Sequence, residues 1–121
     1  MANKKTVLIG ATTDPSRYAY RASNSLVSHG HDLFPMGIKE GRVAGKDILL
    51  EKKEIEGIDT VTLYISPKHQ PEWYEYVLSL KPQRIIFNPG TENQEFETIA
   101  EKAGIEVIEG CTLVMLSIGT Y

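Results

Sequence analysis

The chain has 121 residues, 41% of them hydrophobic and 24% charged, the composition of an ordinary soluble globular protein with one core rather than two. Thirteen basic against sixteen acidic residues give a net charge of −3, mixed along the chain, which argues against a nucleic-acid partner. No apolar run approaches the roughly 20 residues of a membrane span. The opening MANKK leads into a strand and not into a signal-peptide core, and the single Cys111 can form neither an internal disulfide nor a metal cluster. The expectation is a cytoplasmic protein with no membrane partner and no bound metal.

Val7, Leu8 and Ile9 form an apolar run without alternation, the mark of a strand buried on both faces, and it stops at Gly10. Ala19, Ala22, Leu26 and Val27 then recur at helical spacing up to Gly30, which predicts a helix over residues 16–29. A second strand is expected at 32–36, ending on Pro35, Met36 and Gly37. Residues 38–47 are glycine-rich and basic with no helical pattern, so the usual crossover helix is missing there and only a short strand at 48–50 is expected.

A third strong strand reads over 60–65 and stops at Ser66 and Pro67. Pro71 suits the first position of the next helix, whose stripe is Trp73, Tyr76, Val77 and Leu80, ended by Lys81 and Pro82. A strand at 84–87 halts at Asn88, Pro89 and Gly90. Phe96, Ile99, Ala100 and Ala103 mark a further helix closing on Gly104, and residues 106–108 a last strand. Periodicity leaves residues 111–118 open between a short helix and an edge strand.

Strands alternating with helices imply the doubly wound α/β class, a mainly parallel sheet covered on both faces. The expected strand order is 3-2-1-4-5-6, with the weak 48–50 strand at the edge. Ligands of such sheets bind outside the carboxyl ends of the strands, where the order reverses. Four polar strand ends meet there: residues 10–17, 35–39, 66–70 and 88–91. The first is a turn opening a helix, a natural anion site.

A dinucleotide is the first candidate, but Gly10 is followed by Ala11, Thr12, Thr13, Asp14 and Pro15 without the second glycine of G-x-G-x-x-G. The second strand ends without an acidic residue, and Lys39 and Arg42 lie just beyond. Two cations suit a phosphorylated ribose, as in NADP or coenzyme A.

The pattern I-G-A-T-x-D-P-S-R at residues 9–17, the Tyr20, Arg21 and Ala22 that follow, Pro35, F-N-P-G at 87–90, N-x-E at 93–95, and A-G-I-E-V at 103–107 followed by Cys111 together resemble the small stand-alone CoA-binding proteins. These are similar to the CoA-binding domain of the succinyl-CoA synthetase α subunit. The resemblance spans nearly the whole chain and implies a single three-layer Rossmann-like domain over residues 1–121 that binds coenzyme A or an acyl-CoA. It implies that Gly10, Ala11 and Thr12 pass the phosphates along their backbone, with Arg17 near the pyrophosphate and Lys39, with Arg42 beside it, at the 3′-phosphate. Ser66 and Pro67 would border the adenosine or pantetheine, and Asn88, Pro89 and Gly90 the pantetheine arm. Met36, at the end of the second strand, completes the expected ligand-binding set. In two places the chain departs from the family: Phe34 precedes Pro35 where asparagine is common, and the stretch 37–47 matches poorly.

No nucleophile with a base, metal-ligand spacing or acid/base pair stands out, so no catalytic residue is assigned and a binding module is expected rather than an enzyme. Among the histidines only His69 falls at the functional edge, where an exposed turn residue is the simpler reading than an acid or base. Cys111 reads as a small core residue. Trp73, Tyr74 and Tyr76 read as helix packing, and Glu92 and Glu95 as complements to a helix dipole. The alternatives are an NADP-linked reductase, the CoA-binding half of a split acyl-CoA ligase, or an interaction scaffold whose site has decayed. A protein partner is left open.

Overall fold

The computed structural model describes residues 3–121. Its centre is β1, Thr6–Ile9, every residue of which is buried because strands pair on both sides of it and helices cover both faces. On one side lies β2, Leu33–Met36, reached through α1, Tyr18–Ser28; on the other lies β5, Thr60–Leu63. β6, Arg84–Phe87, and β7, Glu106–Glu109, extend the sheet in the order β2-β1-β5-β6-β7, all parallel. The chain turns one way from β1 to β2 and the other way from β5 onward, so the order reverses between β1 and β5.

Alternation along the strands sorts the core into two layers. Val7, Ile9, Val61, Leu63, Ile85 and Phe87 face α2, Tyr74–Leu80, and α3, Gln94–Lys102. Leu8 and Ile86 face α1 and α4, Thr112–Ile118, where they meet Ala22, Leu26 and Leu116. The three-layer Rossmann-like arrangement is therefore present. No helix of the described residues is long and apolar enough to cross a membrane.

Two expectations are corrected. Residues 48–50 do not form a sixth strand: Leu49 alone makes a parallel bridge to Met36, donating its N–H to Pro35 O at 2.8 Å and accepting from Gly37 N at 3.1 Å. The N side of Pro35 faces this outer edge, away from β1, so the missing N–H removes no bond within the sheet. The unassigned loop before it contains an antiparallel hairpin of β3, Arg42–Val43, and β4, Lys46–Asp47. Ala44 and Gly45 at its tip both have positive φ, 53° and 78°, as a two-residue hairpin turn requires.

The segment that periodicity left open is helical. Its start is fixed from outside: Asn88 Oδ1 accepts the Thr112 N–H at 2.9 Å, while Asn88 Nδ2 donates to Thr62 Oγ1 at 2.7 Å and Leu63 O at 2.8 Å. One buried amide thus ties β5 and β6 to α4. The Pro71 helix start is also qualified, since Pro71–Trp73 forms a 3-10 turn that leads into α2.

Candidate functional site

At the end of β1 the backbone of Gly10 takes φ +103°, and a Cβ built there would lie 2.6 Å from Tyr64 O. Only glycine fits so close an approach in that conformation. The N–H groups of Gly10 and Ala11 both donate to Met36 O, at 2.9 and 2.8 Å, which holds the loop against the end of β2. Gly37 meets the same loop from the other side, its missing Cβ leaving 2.7 Å to Ala11 O.

The turn into α1 is organised by Asp14. Its Oδ1 accepts from Ser16 N at 2.9 Å and Ser16 Oγ at 2.7 Å, bonds that hold the carboxyl below its ordinary range. Thr12 Oγ1 accepts from Asp14 N at 3.1 Å. The helix that follows has Arg17 at its N-cap, no side-chain cap and no acidic residue in its first turn. Its leading amides therefore have no protein side chain to satisfy them, and the positive end of the helix dipole carries an added cation. Such an end attracts an anion.

This helix start opens onto a cleft of about 770 Å³ at the carboxyl ends of β1, β2 and β5. The size is that of small-molecule sites, about 300–1,000 Å³. One wall is the 10–13 loop with Arg17, Tyr18 and Ala19; a second is residues 37–40 with Ile48; the third is residues 64–66 with His69, Glu72 and Trp73. Arg17 and Lys39 supply positive charge, Glu40 and Glu72 negative, and Ile48, Ile65 and Trp73 apolar surface. The Tyr64 hydroxyl is buried without a hydrogen-bond partner, and burial pushes its pKa up, so the phenol stays protonated.

Of the residues expected from sequence, Gly10, Ala11, Thr12, Arg17, Lys39 and Ser66 come together on this cleft. The others do not. The Met36 side chain is wholly buried in the core facing α2, and only its carbonyl reaches the loop. Pro67 opens the 3-10 turn Pro67–His69 outside the lining. Asn88 is 1% exposed and spends its amide on β5 and α4, and Pro89 and Gly90 lie exposed beyond it. Arg42 is held in its hairpin, with Nη1 on Asp47 Oδ1 and Nη2 on Gly45 O, both at 2.7 Å.

His69 does line the cleft, as does Trp73, which also packs edge-on to Tyr76 at 6.1 Å between ring centroids. Glu92 and Glu95 serve local structure: Glu92 accepts from Gly90 N and Glu95 from the Tyr74 hydroxyl. Cys111 is half-buried at the start of α4. Gly37 lines the cleft as part of the strand end 35–39 expected there, while Tyr18, Ile48, Tyr64, Glu40 and Glu72 are cleft residues that sequence reasoning missed.

Fold and cleft together define a Rossmann-like single-domain protein with an anion-attracting pocket at the switch point of its sheet. The chain belongs to the CoA binding domain family, matching it over residues 4–117. It is similar to the crystal structure of an uncharacterized protein, with 58% identity, 100% of both chains covered and a TM-score of 0.98. A hypothetical protein from Pyrococcus horikoshii OT3 is 26% identical over 96% of this chain and 83% of its own, with a TM-score of 0.82. The structure of cell-free ID.343 from Thermus thermophilus, 24% identical over 98% of this chain and 91% of its own, shares the fold with a TM-score of 0.85. No protein among those with curated functions matches the chain.

Proposed function

We propose that this protein binds coenzyme A or an acyl-CoA in the cleft at the carboxyl end of its sheet and holds it without transforming it. One observation carries the reading: the uncapped N-terminus of α1, crowned by Arg17, opens onto a cleft that Lys39 also lines. The residues present suit the ligand's charge. The backbone from Gly10 to Thr12 and the first amides of α1, with Arg17, would hold the pyrophosphate; Lys39 would take the 3′-phosphate. Ser66 and the apolar wall of Ile65 and Trp73 would take the neutral pantetheine arm. Bound CoA supplies a thiol that carries acyl groups as thioesters. In this reading the whole chain is one CoA-binding domain that works in a reducing, cytoplasmic compartment and presents its ligand to a partner.

Calorimetric titration with CoA and with 3′-dephospho-CoA tests the assignment. CoA is expected to bind more tightly than the dephosphorylated form, and Lys39→Ala to remove that preference. Failure of both ligands to bind the wild-type protein would overturn the reading, and turnover of a bound acyl-CoA would overturn the holding role.

A further inference from the structure

Away from the cleft, α4 is apolar on every side but covered on one. Leu113, Val114, Met115, Leu116 and Ile118 are bulky hydrophobics, and no residue of Thr112–Ile118 is charged. The fold buries Thr112 and Leu116, one turn apart, against the sheet and α1. Leu113 and Met115 are partly covered at the flanks. Val114 and Ile118, again one turn apart, point outward and are 52% and 66% exposed. A helix that is hydrophobic all round is ordinarily buried all round. The outer side of α4 therefore lacks the cover that its sequence suits.

Charge indicates what covers it. The neighbouring α1 has no acidic residue and one cation, Arg21, whose guanidinium lies 5.7 Å from the centre of the exposed Tyr18 ring. The opposite layer is different, with Glu75, Glu95 and Glu101 exposed on α2 and α3. A charged partner would find nothing of opposite sign on α4 to pair with. A lipid surface calls for Lys or Arg beside the apolar side chains, and α4 has neither. A two-fold contact sets a patch against itself, so any charge at its centre would meet its like. An apolar, uncharged face is the kind found at the centre of homodimer interfaces. We propose that this protein forms a two-fold homodimer through α4, with Val114 and Ile118 at the centre of the contact and the outer side of α1 adjoining it. The contact does not depend on what the cleft holds.

A helix of seven residues offers a small contact, so a reversible dimer is expected rather than an obligate one. Sedimentation velocity of the full chain without ligand, from about 1 to 500 µM, should show the mass rising from monomer to dimer and no further, since a two-fold contact closes. Val114→Asp and Ile118→Asp should each weaken association about tenfold or more, because a carboxylate would be buried there unpaired. Both positions are exposed in the single chain, so its unfolding midpoint should stay near that of the wild type. Glu101→Lys, on the opposite layer, should leave association unchanged. A wild-type protein that stays monomeric throughout, leaving the face to a different protein or to lipid, would overturn the proposal. So would a dimer that neither α4 substitution weakens, or an open series of larger species.

Discussion

Gly10 and Arg17 show how differently two residues of one loop can matter. Gly10→Ala would push a Cβ towards Tyr64 O, 2.6 Å away, in a backbone region with φ +103°. The expected result is a stability loss of about 1–3 kcal/mol in denaturant unfolding, together with weakened CoA binding. Arg17 is exposed, its ion pair with Asp14 is long at 3.9 Å, and its side chain caps nothing. Arg17→Ala should therefore change stability by less than about 0.5 kcal/mol. It should nonetheless weaken CoA binding roughly tenfold or more, since a charge-assisted bond to phosphate contributes about 1.5–3 kcal/mol. Calorimetry alongside unfolding separates the two effects.

Asn88 acts at the scale of elements. Its side chain joins β5, β6 and α4 through three hydrogen bonds, in a place 1% exposed. Asn88→Leu leaves Leu63 O and the Thr112 N–H without that partner, and a loss of about 2–4 kcal/mol is expected in chemical unfolding. Gln70 does comparable work between loops: fully buried, it donates to Ile65 O at 3.0 Å and Thr91 O at 2.7 Å, and accepts from Asn93 at 2.9 Å. In sequence, F-N-P-G at residues 87–90 reads as a rim for ligand. The structure turns the asparagine inward, because a polar side chain at the end of a buried strand finds unpaired backbone groups nearer than any solvent.

At the scale of the molecule, the sheet has two unlike ends, and the one away from the cleft sets a pH response. His31, 3% exposed, accepts the Lys4 N–H on Nδ1 at 2.9 Å and packs against the Tyr121 ring at 4.9 Å. Burial first, and then the neighbouring positive charges of His29, Lys4 and Arg84, hold its pKa below the ordinary 6.5. A histidine with a depressed folded pKa stabilises the neutral form. Its contribution is full above the unfolded value of 6.5 and is lost as pH falls through the folded value. Thermal unfolding followed from pH 7 downward should show a falling Tm in that window, a slope that His31→Gln flattens. Glu97 works with the opposite sign. Burial and then the adjacent Glu109 raise its pKa above 4.5, so it costs stability as pH rises through its folded value. Glu97→Gln should accordingly make the protein more stable near neutrality.

The sequence by itself determined the alternation of strands and helices, the buried first strand, the strand order around it and the anion-attracting turn after Gly10. These features are written in local periodicity and in glycine and proline positions, which act over a few residues. Tertiary structure alone decided that residues 112–118 are helical, since the bond that fixes their start comes from Asn88, 24 residues earlier. It alone also decided which strand ends reach the cleft. Met36 and Asn88 turn inward because each meets its partners inside the fold, Arg42 is tied into a hairpin tip, and Glu72 reaches the cleft through a 3-10 turn that no sequence period announces. Local pattern sets where the chain bends. Which side chains face the ligand depends on contacts between residues far apart in the chain, and those exist only once the layers have packed.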